Sequence, residues 1–232
     1  MVPAKQIPLE LPHRPALERA DLFVTLGNQD AVSWIDRWPG WPGYALAIYG
    51  PIGCGKTHLL QVFAVLTEAF VITEADLDSI DLVAVAESNK AIAFERGFGA
   101  LNEEALFHLL NAVREAKGHI LIVGREPPAR WNISLDDLDS RLRAITAIKI
   151  QPPDDTTLKA VLEKLFRDRQ LIISTDVLDY AITRMPRTFS DCHTLVNHLD
   201  REALAQSRRI TIPLVRTVLE HSDFFSGNKP PV

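Results

Sequence analysis

The sequence predicts an α/β protein: a core built on a five-stranded parallel sheet, followed by a small all-helical domain. Three observations carry this. Short apolar runs alternate with helical stretches from Tyr44 to Ile150, and strands alternating with helices imply a parallel sheet covered on both faces. The alternation stops at Pro152-Pro153, beyond which only helical periodicity follows. Gly50-Pro51-Ile52-Gly53-Cys54-Gly55-Lys56-Thr57 stands where the first strand meets its helix, the setting a phosphate-binding P-loop requires.

Residues 1–16 contain Pro3, Pro8, Pro12 and Pro15 and little that packs, which predicts an extended tail. The core is expected over 17–151. Its first helix spans about 28–38, with Ala31, Trp34, Ile35 and Trp38 at helical spacing, and Pro39-Gly40-Trp41-Pro42-Gly43 ends it. Residues 44–49 read as a buried strand and 56–66 as a helix. A second strand over 70–73 precedes a weak helix around 77–85. A third strand covers 91–94, and Asn102 caps a helix running to about residue 117. Strands over 119–123 and 147–150 complete the sheet. Three or four helices are expected in a lid over 152–225, at 155–169, 175–184, 189–208 and 212–221. Ser174, Thr175 and Thr211 are start signals there, and Pro213 suits a first helical turn. Residues 226–232 are expected to fray.

Composition narrows the function classes. A chain of 232 residues, 47% apolar, buries roughly 70% or more of its unfolded surface and needs no disulfide staples. Cys54 and Cys192 read as ordinary thiols of a reducing compartment, with no metal-ligand spacing. No run of apolar residues is long enough for a transmembrane helix and none near the N-terminus for a signal peptide, so a cytoplasmic protein with no membrane partner is expected. Net charge is −5, from 25 basic and 30 acidic residues. Sequence-independent DNA binding normally needs the opposite sign, so direct DNA contact is expected to be weak or indirect.

The P-loop assigns chemistry to named residues. Gly50, Gly53 and Gly55 let the loop wrap so that backbone N–H groups, those of Pro51's neighbours and Cys54 included, face inward as an anion nest. The helix beginning at Lys56 adds its positive end. Lys56 is expected to neutralise β/γ-phosphates and Thr57 to ligate Mg²⁺. His58, one residue on, reads as helix packing at the edge of the site. Hydrolysis needs more: a carboxylate on a neighbouring strand for the metal, and often a second for water. Only Glu95 is present, between Phe94 and Arg96; it serves the metal or is a surface carboxylate paired with Arg96. The fourth strand ends Val123-Gly124, whose side chains cannot sense a γ-phosphate. Weak or absent intrinsic turnover is expected. Trp34, Trp38, Trp41 and Trp131 read as packing, with Trp38 or Trp41 beside a nucleotide base as the alternative.

Further segments carry a family resemblance. They are Phe23-Val24 with Asn28-x-x-Ala31, the P-loop with His58-Leu59, and Ala105-Leu106-Phe107-His108-Leu109-Leu110-Asn111. Pro127-Pro128-Ala129-Arg130-Trp131, Leu138-x-Ser140-Arg141-Leu142 and Ile210-Thr211-Ile212-Pro213-Leu214-Val215 continue it. Together they resemble the AAA+ replication-initiator branch and, within it, the Hda-like regulators that inactivate the initiator DnaA. The resemblance runs from Gln6 to about Leu219. It implies an AAA+ P-loop core with a helical lid, a bound adenine nucleotide (ADP favoured over ATP, with Mg²⁺), and a role in limiting replication initiation. No further DNA-binding domain of the initiator kind is expected after the lid, and the stretch between the P-loop helix and the Glu95 strand is short; both favour the regulator.

The resemblance also implies partners. Gln6-Ile7-Pro8-Leu9-Glu10-Leu11 resembles the clamp-binding peptide by which proteins dock on the β subunit sliding clamp. Gln6 would enter a polar pocket, and Ile7, Leu9 and Leu11 apolar ones. Arg141 is implied to be an arginine finger acting in trans on the nucleotide of DnaA, with Arg143 solvated nearby. The lid arginine that reads nucleotide in the family falls at Ser190, with Arg187 as a neighbouring cation. A homo-oligomer is left open. Two other readings stand beside this one: an adaptor acting through protein contact with a relic P-loop, and an independent P-loop ATPase or kinase.

Overall fold

The computed structural model describes residues 22–206 and 208–220. The tails at 1–16 and 226–232, and with them Gln6, Ile7, Leu9 and Leu11, lie outside the described residues. The chain divides into two compact units between Gln151 and Pro152.

The first unit is a five-stranded sheet of β1 (Ala45–Tyr49), β2 (Phe70–Thr73), β3 (Ala91–Glu95), β4 (His119–Gly124) and β5 (Thr146–Lys149), in the order β2-β3-β4-β1-β5. Every neighbouring pair is parallel, with Ile48 opposite both Val123 and Ile148. Side chains alternate across a strand, and both faces here are apolar. Ala45, Ala47, Ile92, Phe94, Ile120 and Ile122 face one way, onto α3 (Leu82–Ser88), α4 (Glu103–Glu115) and α5 (Asp136–Arg143). Leu46, Ile48, Ala93, Leu121 and Val123 face the other, onto α1 (Gln29–Asp36) and α2 (Lys56–Thr67). Each fully buried Leu, Ile or Phe contributes roughly 1.5–3 kcal/mol.

Most element ends fall within about two residues of the sequence expectation, and three differences are instructive. β5 starts and ends one residue earlier than expected, although Ile150 is buried and its N–H still donates to Tyr49 O at 2.7 Å. The weak helix is split: a 3-10 turn covers Glu74–Asp78, and α3 restarts at Leu82 because the Asp81 carboxylate accepts the N–H groups of Val83 and Ala84 at 3.1 and 3.0 Å. α5 was not expected at all. It buries only Leu138 and Leu142, too few for a clear period. Its acids at Asp136, Asp137 and Asp139 and its basic residues at Arg141 and Arg143 oppose the helix dipole favourably. Glu103 on α4 fixes its start by accepting from Ser134 N at 2.9 Å and Leu135 N at 2.8 Å.

The second unit is all-helical among the described residues: α6 (Asp155–Asp168), α7 (Thr175–Ile182), α8 (Phe189–Gln206) and α9 (Ile212–Glu220). Asp154 caps α6 through Thr157 N at 2.7 Å. Leu158, Leu162, Phe166, Leu178, Val196, Leu199 and Val215 form its buried interior with Cys192. Burial pushes the Cys192 thiol up to about 12, so it is an inert apolar filler. No described helix is long and apolar enough to cross a membrane.

Candidate phosphate-binding site

β1 ends under the P-loop and α2 leaves it, so the loop crosses the end of the sheet where the parallel strands finish. Gly53 and Gly55 adopt φ of 73° and 99°, left-handed conformations that side chains rarely tolerate. Gly50 is required for a different reason. A Cβ there would lie 2.6 Å from Ile150 O and 3.1 Å from Cys54 Sγ, so the loop closes against the end of β5. Gly50 N donates to Gly124 O at 3.3 Å, tying the loop to β4 as well.

Lys56 is held by the loop it serves. Its ammonium donates to Gly50 O at 2.8 Å and Pro51 O at 2.7 Å, and approaches Cys54 Sγ at 3.7 Å. Burial pushes the Cys54 thiol up, against the opposing pull of Lys56. The thiol therefore stays protonated near neutrality, and the lysine charge is not cancelled from within the loop. His58 is half-buried one residue past Thr57.

Glu95, at the end of β3, reaches Thr57: the hydroxyl donates to the carboxylate at 2.5 Å. Arg96 turns away from it. Its guanidinium pairs with Glu74 and donates to Gly99 O at 3.1 Å, while Gly99 N donates back to Glu74 at 3.1 Å. Glu95 is thus not the surface partner of Arg96; it belongs to the P-loop threonine. Two hard oxygen donors side by side fit Mg²⁺, which takes one or two protein oxygens and completes its octahedron with water and phosphate. Among the described residues no group of three or more His, Cys, Asp or Glu forms a separate metal cluster. Phe94 is fully buried, and Val123 and Gly124 put no side-chain hydrogen-bonding group at the end of β4.

Arg141 and Arg143 lie in the last turn of α5 and behave differently. Arg143 pairs with Asp139 at 2.7 Å and is 60% exposed. Arg141 is half-buried, with its guanidinium 4.9 Å from the centroid of Phe107 on α4 and its Nη1 buried without a hydrogen-bond partner. In the second unit, Ser190 is exposed on α8, and Arg187 pairs with Asp155 at 3.0 Å.

Trp38 and Trp41 pack at the other end of the sheet. Trp41 stacks on Phe63, both rings meet His119 edge-on, and His119 opens β4. They are packing residues, far along the strand direction from the loop. Sequence reasoning missed the network of Glu74, Arg96 and Gly99. Its signal was Gly97-Phe98-Gly99: a Cβ on Gly97 would lie 2.8 Å from Glu74 Oε2.

Comparison with known proteins fits both units. The profile of the Hda lid domain matches residues 154–219. Domain III of the replication initiation protein DnaA from Thermotoga maritima superposes with a TM-score of 0.75 at 21% identity, covering 90% of this chain and 98% of that one. AMPPCP-bound DnaA from Aquifex aeolicus gives 0.67 at 18% identity, covering 84% and 68%. The Thermotoga maritima RuvB Holliday junction branch migration motor gives 0.63 at 16% identity, covering 84% and 69%. At these identities the solved structures share the fold: an AAA+ core followed by a helical lid.

Proposed function

We propose that this chain, whose residues 154–219 match the Hda lid domain and whose fold is that of DnaA domain III, is a regulator of replication initiation that stimulates hydrolysis of the ATP held by DnaA. The observation that carries this reading is the division of equipment between its two arginine-bearing and phosphate-binding regions. The P-loop is complete, yet its one carboxylate is committed to Thr57, and no second acid or sensor side chain stands at the ends of β3 and β4. Such a site holds a nucleotide better than it turns one over. Arg141, by contrast, ends α5 half-buried with its guanidinium over Phe107 and no ion pair among the described residues.

Gly50, Pro51, Gly53, Cys54, Gly55, Lys56 and Thr57 would hold an adenine nucleotide, ADP being the better match to a site poor in hydrolytic groups. Lys56 supplies positive charge to the phosphates, and the Thr57 hydroxyl with Glu95 offers oxygens to Mg²⁺. Bound metal would neutralise phosphate charge there. Arg141 acts on the partner's nucleotide. A guanidinium is always charged and forked, and meets equatorial phosphate oxygens as they gain charge. Gln6, Ile7, Leu9 and Leu11 would tether the chain to the β sliding clamp and concentrate it near DNA without DNA contacts of its own.

The test is turnover of labelled ATP bound to DnaA, with and without this protein and clamp loaded on DNA. Stimulation that needs all components supports the reading. Turnover by this protein alone, with none on DnaA, would replace it with an independent ATPase.

A further inference from the structure

Phe98 stands at the tip of the loop between β3 and α4, 76% exposed. A single exposed apolar residue is ordinary; what sets Phe98 apart is a hydrogen-bonded base and a guanidinium on its ring. The base is rigid here. Glu74 accepts from Arg96 and from Gly99 N, and Arg96 donates to the carbonyls of Gly97 and Gly99 on either side of Phe98. Arg96 in turn lies 5.7 Å from the Trp131 ring centroid. The tip is therefore held before anything binds it, which lowers the ordering cost of association.

Arg125, just past the end of β4, lies with its guanidinium 3.4 Å from the Phe98 ring centroid. It is exposed, and among the described residues it makes no ion pair. Its guanidinium edge is free to take a carboxylate while its face stays on the ring. The net charge of −5 disfavours a nucleic-acid backbone as the partner.

We propose that Phe98 and Arg125 form a docking knob for the protein on which this chain acts, Phe98 entering an apolar socket and Arg125 meeting a carboxylate on its rim. This rests on the proposed function, in which that protein is DnaA. The knob follows Glu95 by three residues, so docking bears on the same end of the sheet as the P-loop. Aromatic and arginine side chains in a central, desolvated contact dominate binding energy.

The experiment titrates the full chain against DnaA-ATP with loaded clamp, and reads half-saturating concentration and maximal rate separately. Phe98→Ala and Arg125→Ala are expected to raise the half-saturating concentration about tenfold or more at unchanged maximal rate. Phe98→Trp should restore it, and Ile172→Ala, at an exposed apolar site of the second unit, should match wild type. Arg125→Glu should be worse than Arg125→Ala. Variants equal to wild type would overturn the knob and leave the proposed function standing. Weakened binding of a labelled single-stranded oligonucleotide by Phe98→Ala, with DnaA titration unchanged, would overturn it in favour of base stacking. No stimulation by wild type would overturn the proposed function itself; loss of direct DnaA binding in Phe98→Ala by fluorescence anisotropy would still support the knob.

Discussion

The hydroxyl of Thr57 and the carboxylate of Glu95 lie 2.5 Å apart, although 38 residues separate them in the chain. Parallel neighbours in the sheet explain it. β3 and β1 both finish at the P-loop end, with β4 between them, so α2's first turn and the last residue of β3 converge. Glu95→Gln keeps the shape and removes the charge. ADP binding in Mg²⁺ should weaken about 10- to 100-fold, the range of one charge-assisted interaction. Binding in EDTA should barely change. Calorimetric titrations in the two buffers measure this, and equal losses in both would remove Glu95 from the metal's coordination.

The same convergence makes Gly50 a packing residue as well as a loop residue. Gly50→Ala sets a methyl 2.6 Å from a backbone carbonyl oxygen of Ile150, which must move. A cost of about 1–3 kcal/mol is expected, seen as a melting point several degrees lower. ADP should also stabilise the variant less than wild type. An unchanged melting point would mean the end of β5 yields freely.

The P-loop and the alternating strands were legible because their signals are local: glycine spacing, apolar runs, a Lys-Thr pair at a helix start. The partner of Glu95 was not. Adjacency to Arg96 in sequence left an ion pair between neighbours open beside a metal role, but successive residues of a strand end point to opposite sides. Arg96 turned to Glu74 on the 3-10 segment after β2, and Glu95 to Thr57. Helix α5 escaped for a similar reason. It has two buried leucines, and much of what orders its start comes from Glu103, more than thirty residues earlier.

His119 gives a pH dependence with a definite sign. Burial beneath Trp38 and Trp41 lowers its pKa below the ordinary 6.5, only partly offset by the backbone of Pro39. The folded chain then binds fewer protons than the unfolded chain near that value. Stability is full above pH 6.5 and is lost as pH falls below it toward the folded pKa. His198, lowered chiefly by burial, adds in the same direction. Melting temperature should fall between about pH 7.5 and about pH 5.5. His119→Phe, which keeps a ring against the tryptophans, should flatten part of that slope; an unchanged slope would assign it elsewhere.

Arg141 carries the sharpest expectation. Its guanidinium rests on Phe107 with Nη1 buried and unbonded, so a change of side-chain rotamer must bring that nitrogen out to meet another molecule. Arg143, two residues on, spends its capacity on Asp139. Arg141→Ala should keep the fold, because it deletes no hydrogen-bonded partner among the described residues, and should keep clamp binding and ADP binding. Stimulation of DnaA-bound ATP hydrolysis should fall roughly 10³- to 10⁵-fold, about 4–7 kcal/mol of transition-state stabilisation. Arg141→Lys should recover little, since a compact ammonium lacks the fork. Arg143→Ala should be nearly silent, an exposed ion pair contributing at most about 1 kcal/mol to stability. The assay is hydrolysis of labelled ATP on DnaA with clamp loaded on DNA, scored for maximal rate. Near-normal rates with Arg141→Ala, in a protein whose melting point matches wild type, would mean that the stimulus reaches DnaA through some other contact.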